Sequence, residues 1–153
     1  MPTVTIAHRT IAVAALGLVL GCGGRSGTAA APSPATPEAT VELFLDAANA
    51  NDLDRMAALW GTEQGSSAAT GQPPLEERNQ RLAIMQRLLR NDNRRLVGTA
   101  ATVPTAPVLS YDITQGQRQF TVPFTCVASR HGGWLIREIG LDAAMPTAGP
   151  RTR

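Results

Sequence analysis

"QFTVPFTCVAS", Gln119 to Ser129, alternates apolar and polar residues more strictly than any other stretch of this chain. Phe120, Val122, Phe124, Cys126 and Ala128 fall on one face, and Gln119, Thr121, Thr125 and Ser129 on the other. Successive strand side chains point to opposite sides, so this pattern predicts a strand with one buried face. Pro123 has no N–H to donate, which predicts a bulge or an unpaired edge in the middle of the strand.

Working outward, the same period of two recurs on both sides. Leu109, Tyr111 and Ile113 share a face within Val108–Thr114, and Gln115-Gly116-Gln117 reads as the hairpin turn between the two strands. Arg94 to Val103 is a fainter strand before them. His131-Gly132-Gly133 makes the next turn, and Trp134 to Leu141 closes the sheet. Upstream of Asn91 the period changes to that of a helix. Thr36 can cap, Pro37 suits the first helical position, and Val41, Phe44, Leu45 and Ala48 follow at i, i+3, i+4 and i+7. Asp52 caps a second helix bearing Leu53, Met56, Ala57 and Trp60, stopped by Gly61. A polar loop, Thr62 to Gln72, leads to Pro73-Pro74 and a third helix ending near Arg90, with Leu75, Leu82, Met85 and Leu89 on one stripe. Three N-terminal helices packed on a curved antiparallel sheet of about four strands make an α+β domain over residues 37–142.

That order of elements resembles the NTF2-like (SnoaL-type) cone. The likeness is carried by "VELFLDAAN" at Val41–Asn49, "DLDRMAALW" at Asp52–Trp60 and "GWLIREI" at Gly133–Ile139. It covers nearly all of residues 37–142. The resemblance implies a sheet wrapped around a long helix, with a pocket between them. It does not choose a function, because such folds serve isomerases, dehydratases, hydrolases and purely structural subunits.

The N-terminus carries a different kind of information. His8 and Arg9 precede an apolar run of about twelve residues, Thr10 to Gly21. As a helix that run spans ~18 Å, short of the ~30 Å hydrocarbon core of a bilayer. The charged entry, short apolar middle and small residues at the end are the layout of a secretory signal. Val19-Leu20-Gly21-Cys22 resembles a bacterial lipobox. The resemblance implies cleavage after Gly21, leaving residues 1–21 as signal peptide, and lipidation of Cys22 on its thiol and new amine. Two or three acyl chains anchor a protein stably where one does not. Residues 22–36, rich in Gly, Ala, Ser and Pro, then read as a disordered tether, and residues 143–153 as a loose tail. Lipidation leaves Cys126 without a partner, so no internal disulfide is expected. The expected address is the cell envelope, lipid-anchored; Gly23 rather than an aspartate after the cysteine favours the outer membrane.

Composition limits the chemistry. The net charge is +2, too small to argue for nucleic acid, and every basic residue is arginine. The mature chain keeps one histidine, His131, and one free cysteine, so no metal site and no cofactor are expected. No phosphate-binding glycine motif or nucleophile elbow occurs; Gly65-Ser66-Ser67 lies in a loop of the wrong kind. Cys126 shares a face with Phe124 and reads as a small hydrophobe. Acid–base catalysis has two weak candidates. Tyr111 is the only tyrosine, and Glu138 shares a face with Trp134 and Ile136, so regular alternation would aim it inward. Asp112 points away from Tyr111, and Asp46 lies off the apolar stripe. The run Arg87, Arg90, Arg94 and Arg95, with only Asp92 against it, reads either as a solvated helix end or as a contact for phosphates.

The leading expectation is a non-catalytic binding module, with a small apolar ligand in a pocket lined by Trp60, Tyr111, Phe120, Phe124 and Trp134. One alternative is an envelope enzyme using Tyr111 and Glu138. Another is a structural subunit forming a homodimer through its sheet, because Leu135, Ile139 and Leu141 read as apolar residues on the second face of the last strand.

Overall fold

The computed structural model describes residues 34–101 and 103–145. The expected signal peptide, Cys22, most of the expected tether and residues 146–153 lie outside them. Within the described residues the protein is α+β. The elements are α1 (Pro37–Ala50), α2 (Leu53–Leu59), β1 (Gly61–Thr62), β2 (Gly65–Ser66), α3 (Ser67–Thr70), α4 (Leu75–Leu89), β3 (Asn93–Ala101), β4 (Pro107–Gln115), β5 (Arg118–Ala128) and β6 (Trp134–Ile139), followed by a 3-10 turn, Asp142–Ala144. β3 to β6 form one antiparallel sheet in sequence order, and β1 and β2 a separate two-stranded hairpin.

The helices start where their caps are. Thr36 Oγ1 accepts from the Ala39 N–H at 3.1 Å, and Asp52 Oδ1 from the Arg55 N–H at 2.9 Å. Each satisfies a backbone donor that the first turn of a helix leaves free. α1 ends at Asn51, whose left-handed φ of 56° is one that asparagine tolerates. The third expected helix is α4; Leu82 and Leu89 of its stripe are buried, but Leu75 is 62% exposed because it sits at the first residue, beyond the reach of the core. The expected loop Thr62–Gln72 contains the β1–β2 hairpin and α3. Those elements are too short for any periodicity to register.

α1 packs against β4, β5 and β6 and also against α2 and α4. Its Val41, Phe44, Leu45 and Ala48 meet Leu109, Tyr111, Ile113, Val122, Phe124 and Cys126 in one core. The expected inward faces of β4 and β5 are therefore the observed ones. Pro123 pairs with Ser110 in regular register, and its carbonyl accepts from the Gly140 N–H at 2.9 Å. An N–H and C=O of one strand residue point the same way, so the missing donor faces the side where β6 has already left β5. The unpaired edge, not a bulge, is what accommodates the proline. Gly140 fits there because any Cβ would sit 2.6 Å from Pro123 Cγ.

The bulge lies elsewhere. Cys126 pairs with Ile136 and Thr125 with Glu138, so Arg137 is an extra residue in β6. An extra residue reverses the alternation beyond it. Ile136 and Ile139 both join the core, and Glu138 is exposed. The reading of Ile139 as an outer-face residue is thereby corrected. Val127 and Leu135, paired with each other, are buried outside the main cluster.

The fold also reaches past its expected limits. The Trp134 N–H donates to the Pro34 carbonyl at 3.0 Å, fixing the end of the tether beside β6. Ala144 is buried in the core, and Arg118 Nη2 donates to its carbonyl at 3.1 Å, so residues 143–145 continue the domain rather than trail from it.

Candidate functional site

The five residues expected to line a pocket do not enclose one. Tyr111 and Phe124 are fully buried and meet edge to face, with ring centroids 5.8 Å apart at 86°. Phe120 is half-buried beneath the Arg118 guanidinium, 5.2 Å from its ring centroid. Trp134 is half-buried against the core beside Pro34. The space between α1 and the sheet is occupied at these positions by side chains packed on one another.

Trp60 is different. It caps α2, bridges to Ile136 of β6, and lines a surface recess of about 230 Å³ together with Ser67, Gln72, Pro73, Arg81 and Arg137. A neighbouring recess of about 310 Å³ shares its Gly61, Thr62 and Gln72 walls and continues past Glu63 and Gly65. The Trp60 carbonyl accepts from the Ser67 N–H at 2.7 Å, and Ser67 Oγ donates to the Ala57 carbonyl at 2.9 Å, so the floor is held to α2. Arginines surround it. Arg78 Nη1 donates to the Ser67 carbonyl at 2.8 Å, and its buried Nε has no partner. Arg81 pairs with Glu77 at 2.5 Å and Arg137 with Glu63 at 3.5 Å. An aromatic wall with guanidinium groups at its rim suits a ligand with an apolar body and an acidic group. Arg137, the extra residue of β6, points away from the core and lines the recess.

Gly61 shapes both recesses. A Cβ there would lie 2.3 Å from the Gly65 carbonyl oxygen and 2.7 Å from Ser66 Cα, both backbone atoms that cannot swing aside. Gly61→Ala is expected to lower stability by ~1–3 kcal/mol, the usual range for overpacking. It should also shift the amide resonances of Gly65 and Ser66 more than those of the core. An unchanged melting temperature would show that the hairpin opens freely.

The catalytic candidates are separated. Glu138 is exposed, whereas Tyr111 faces the core. The groups gathered near Tyr111 are instead Glu42 and Arg94. Arg94 Nε contacts Glu42 Oε2 at 2.5 Å, and Arg94 Nη2 contacts Asp46 Oδ1 at 2.6 Å, tying β3 to α1. Burial pushes the Tyr111 phenol well above its usual 10.0, and the negative charge and acceptor oxygens of Glu42 push the same way. The phenol is thus a hydrogen-bond donor that stays protonated. Glu42 and Asp46, one turn apart on the flank of the apolar stripe, were the signal for this cluster in the sequence. Their partner Arg94 lies far along the chain on a faint strand, and nothing local announces it.

A third recess, about 510 Å³, lies where α1 and α4 end beside the β4–β5 turn; Asn49, Arg87, Arg90, Asn91 and Asp92 line it with Gln115 and Gly116. His131 is exposed in its turn, and no three His, Cys, Asp or Glu residues among the described residues gather closely enough to hold a metal ion. Among the described residues no helix is long and apolar enough to cross a membrane. Neither a protein-family model nor a curated protein matches this sequence.

Proposed function

We propose that this is a lipid-anchored cell-envelope protein whose α+β domain, of the NTF2-like cone type, is a non-catalytic binding module for a small ligand with an apolar body and an acidic group. The observation that carries the non-catalytic reading is that Tyr111 and Glu138 lie on opposite sides of the sheet, so one bound molecule cannot meet both. Binding is assigned to the Trp60 recess because it offers an aromatic wall and two exposed guanidinium groups, each beside a single carboxylate that a ligand's acidic group could replace, without displacing any core side chain. The envelope address is supported by the lipobox-like Val19-Leu20-Gly21-Cys22 and the short apolar run before it.

Purification of the full chain from its own membranes tests both halves. Intact-mass analysis is expected to find an N-terminus at an acylated Cys22, and Cys22→Ser is expected to move the protein into the soluble fraction. Recovery of the chain from Met1 in the cytoplasm would overturn the address. A co-purifying small molecule should be lost with Trp60→Ala or Arg137→Gln and retained with Tyr111→Phe. Loss with Tyr111→Phe alone would place the ligand inside the cone.

A further inference from the structure

The recess at the far end of α1 holds two cations that the fold does not use. Of the basic run Arg87, Arg90, Arg94 and Arg95, the last two have partners: Arg94 clamps Glu42 and Asp46, and Arg95 reaches Asp112 at 3.4 Å. Arg87 and Arg90 have no carboxylate within ion-pairing distance among the described residues, and both are exposed on the recess wall. Arginines at a helix C-terminus ordinarily serve its free carbonyls. Here amides do that work. Gln115 Nε2 donates to the Leu88 carbonyl at 2.8 Å and also to that of Arg90, and Asn91 Nδ2 donates to the Leu89 carbonyl at 2.9 Å. The one acid on the wall, Asp92, is engaged as well, its Oδ2 accepting from the Gly116 N–H at 2.6 Å. The Asn91 N–H goes to Asn49 Oδ1 at 2.8 Å, which fixes the wall between α1 and α4. What remains free is a pair of guanidinium groups, Arg87 in the last turn of α4 and Arg90 at its C-cap, lining a concavity of about 510 Å³.

We propose that this recess binds a phosphate-bearing group through Arg87 and Arg90. Guanidinium forks match tetrahedral oxyanions in two-point contacts, and two of them balance a dianion. The recess is too confined and too weakly charged for an extended polyanion. It lies at the end of α1 opposite the point where Pro34 is tied to Trp134, ~21 Å away along the fourteen-residue helix. The site stands whether or not Cys22 carries a lipid.

The test uses the full chain with Cys22→Ser, so that acyl chains do not dominate. At low ionic strength, inorganic phosphate is expected to shift the amide resonances of Asn91 and Gly116, saturably, where chloride does not. Arg87→Gln with Arg90→Gln should weaken that binding at least tenfold. Arg55→Gln with Arg130→Gln, which removes the same charge elsewhere on the surface, should leave it unchanged. A second arm uses phosphatidylcholine vesicles with and without phosphatidylglycerol. Binding only to the anionic vesicles, lost in the first double variant alone, would identify a lipid headgroup as the source of the phosphate. If neither probe binds, or both double variants respond alike, the proposal is overturned.

Discussion

Phe124→Ala is expected to remove about 3–5 kcal/mol of stability, the range for truncating a fully buried aromatic ring. The ring is 0% exposed, sits edge-on to Tyr111, and lies opposite Leu109 in one neighbouring strand and Ile139 in the other. Its loss opens a cavity where α1 meets the centre of the sheet, and the backbone of three paired strands cannot collapse to fill it. A domain of this size has about 5–15 kcal/mol in total, so the variant should sit near the threshold of folding at 37 °C. Urea denaturation would read the effect as a lower midpoint with an unchanged slope. A loss under about 1 kcal/mol would mean that the ring borders an open pocket after all, and the filled interior described above would be wrong.

The second large effect concerns Cys126. The thiol is 0% exposed, and burial followed by the negative charge of Glu38 pushes it from 9.0 up to about 12. The thiolate is the reactive form, and three pH units thin its population about a thousandfold at neutral pH, before any barrier to access. In a Cys22→Ser background, native protein is expected to react with a disulfide reagent at least that much more slowly than protein unfolded in urea. Comparable rates would place the thiol at the surface. The same shift gives a pH dependence of known sign. The unfolded chain loses the thiol proton near pH 9, while the folded chain holds it to about 12. Stability is therefore present in full below pH 9 and drains away as pH climbs toward 12. Tyr111, also raised, adds its share above pH 10. The chain contains no lysine and no other tyrosine, so this alkaline limb has few contributors. Cys126→Ala should flatten it between pH 9 and 10, and above pH 10 the limb should flatten only when Tyr111→Phe is added to Cys126→Ala.

Strict alternation and helical spacing made the main elements of this fold readable. The inward faces of β4 and β5 and the apolar stripe of α1 follow from residue order alone, because burying one face is what those periods do. Leu75 escaped the rule because a stripe residue at a helix tip has nothing to pack on. The β1–β2 hairpin and α3 escaped it because two to four residues carry no period. Glu138 shows a subtler failure. Its inward orientation was a correct deduction from regular alternation, and a backbone irregularity with no residue signature of its own reversed it. The recess sites were partly legible. Trp60 and the arginine run stood out as residues, but which arginines remain unpaired depends on Glu42, Asp46 and Asp112, brought near only by folding.

The extra residue at Arg137 has a consequence for how freely this strand can change. Removing it would leave Ile136, Glu138 and Ile139 in plain in–out–in succession, the same sides they occupy now. Deletion at most other positions of β6 would turn its remaining side chains over. Position 137 is thus a slot the interior does not count, open to variation in both length and character. A substitution there could change the charge and shape of the Trp60 recess without renegotiating the hydrophobic lattice beneath.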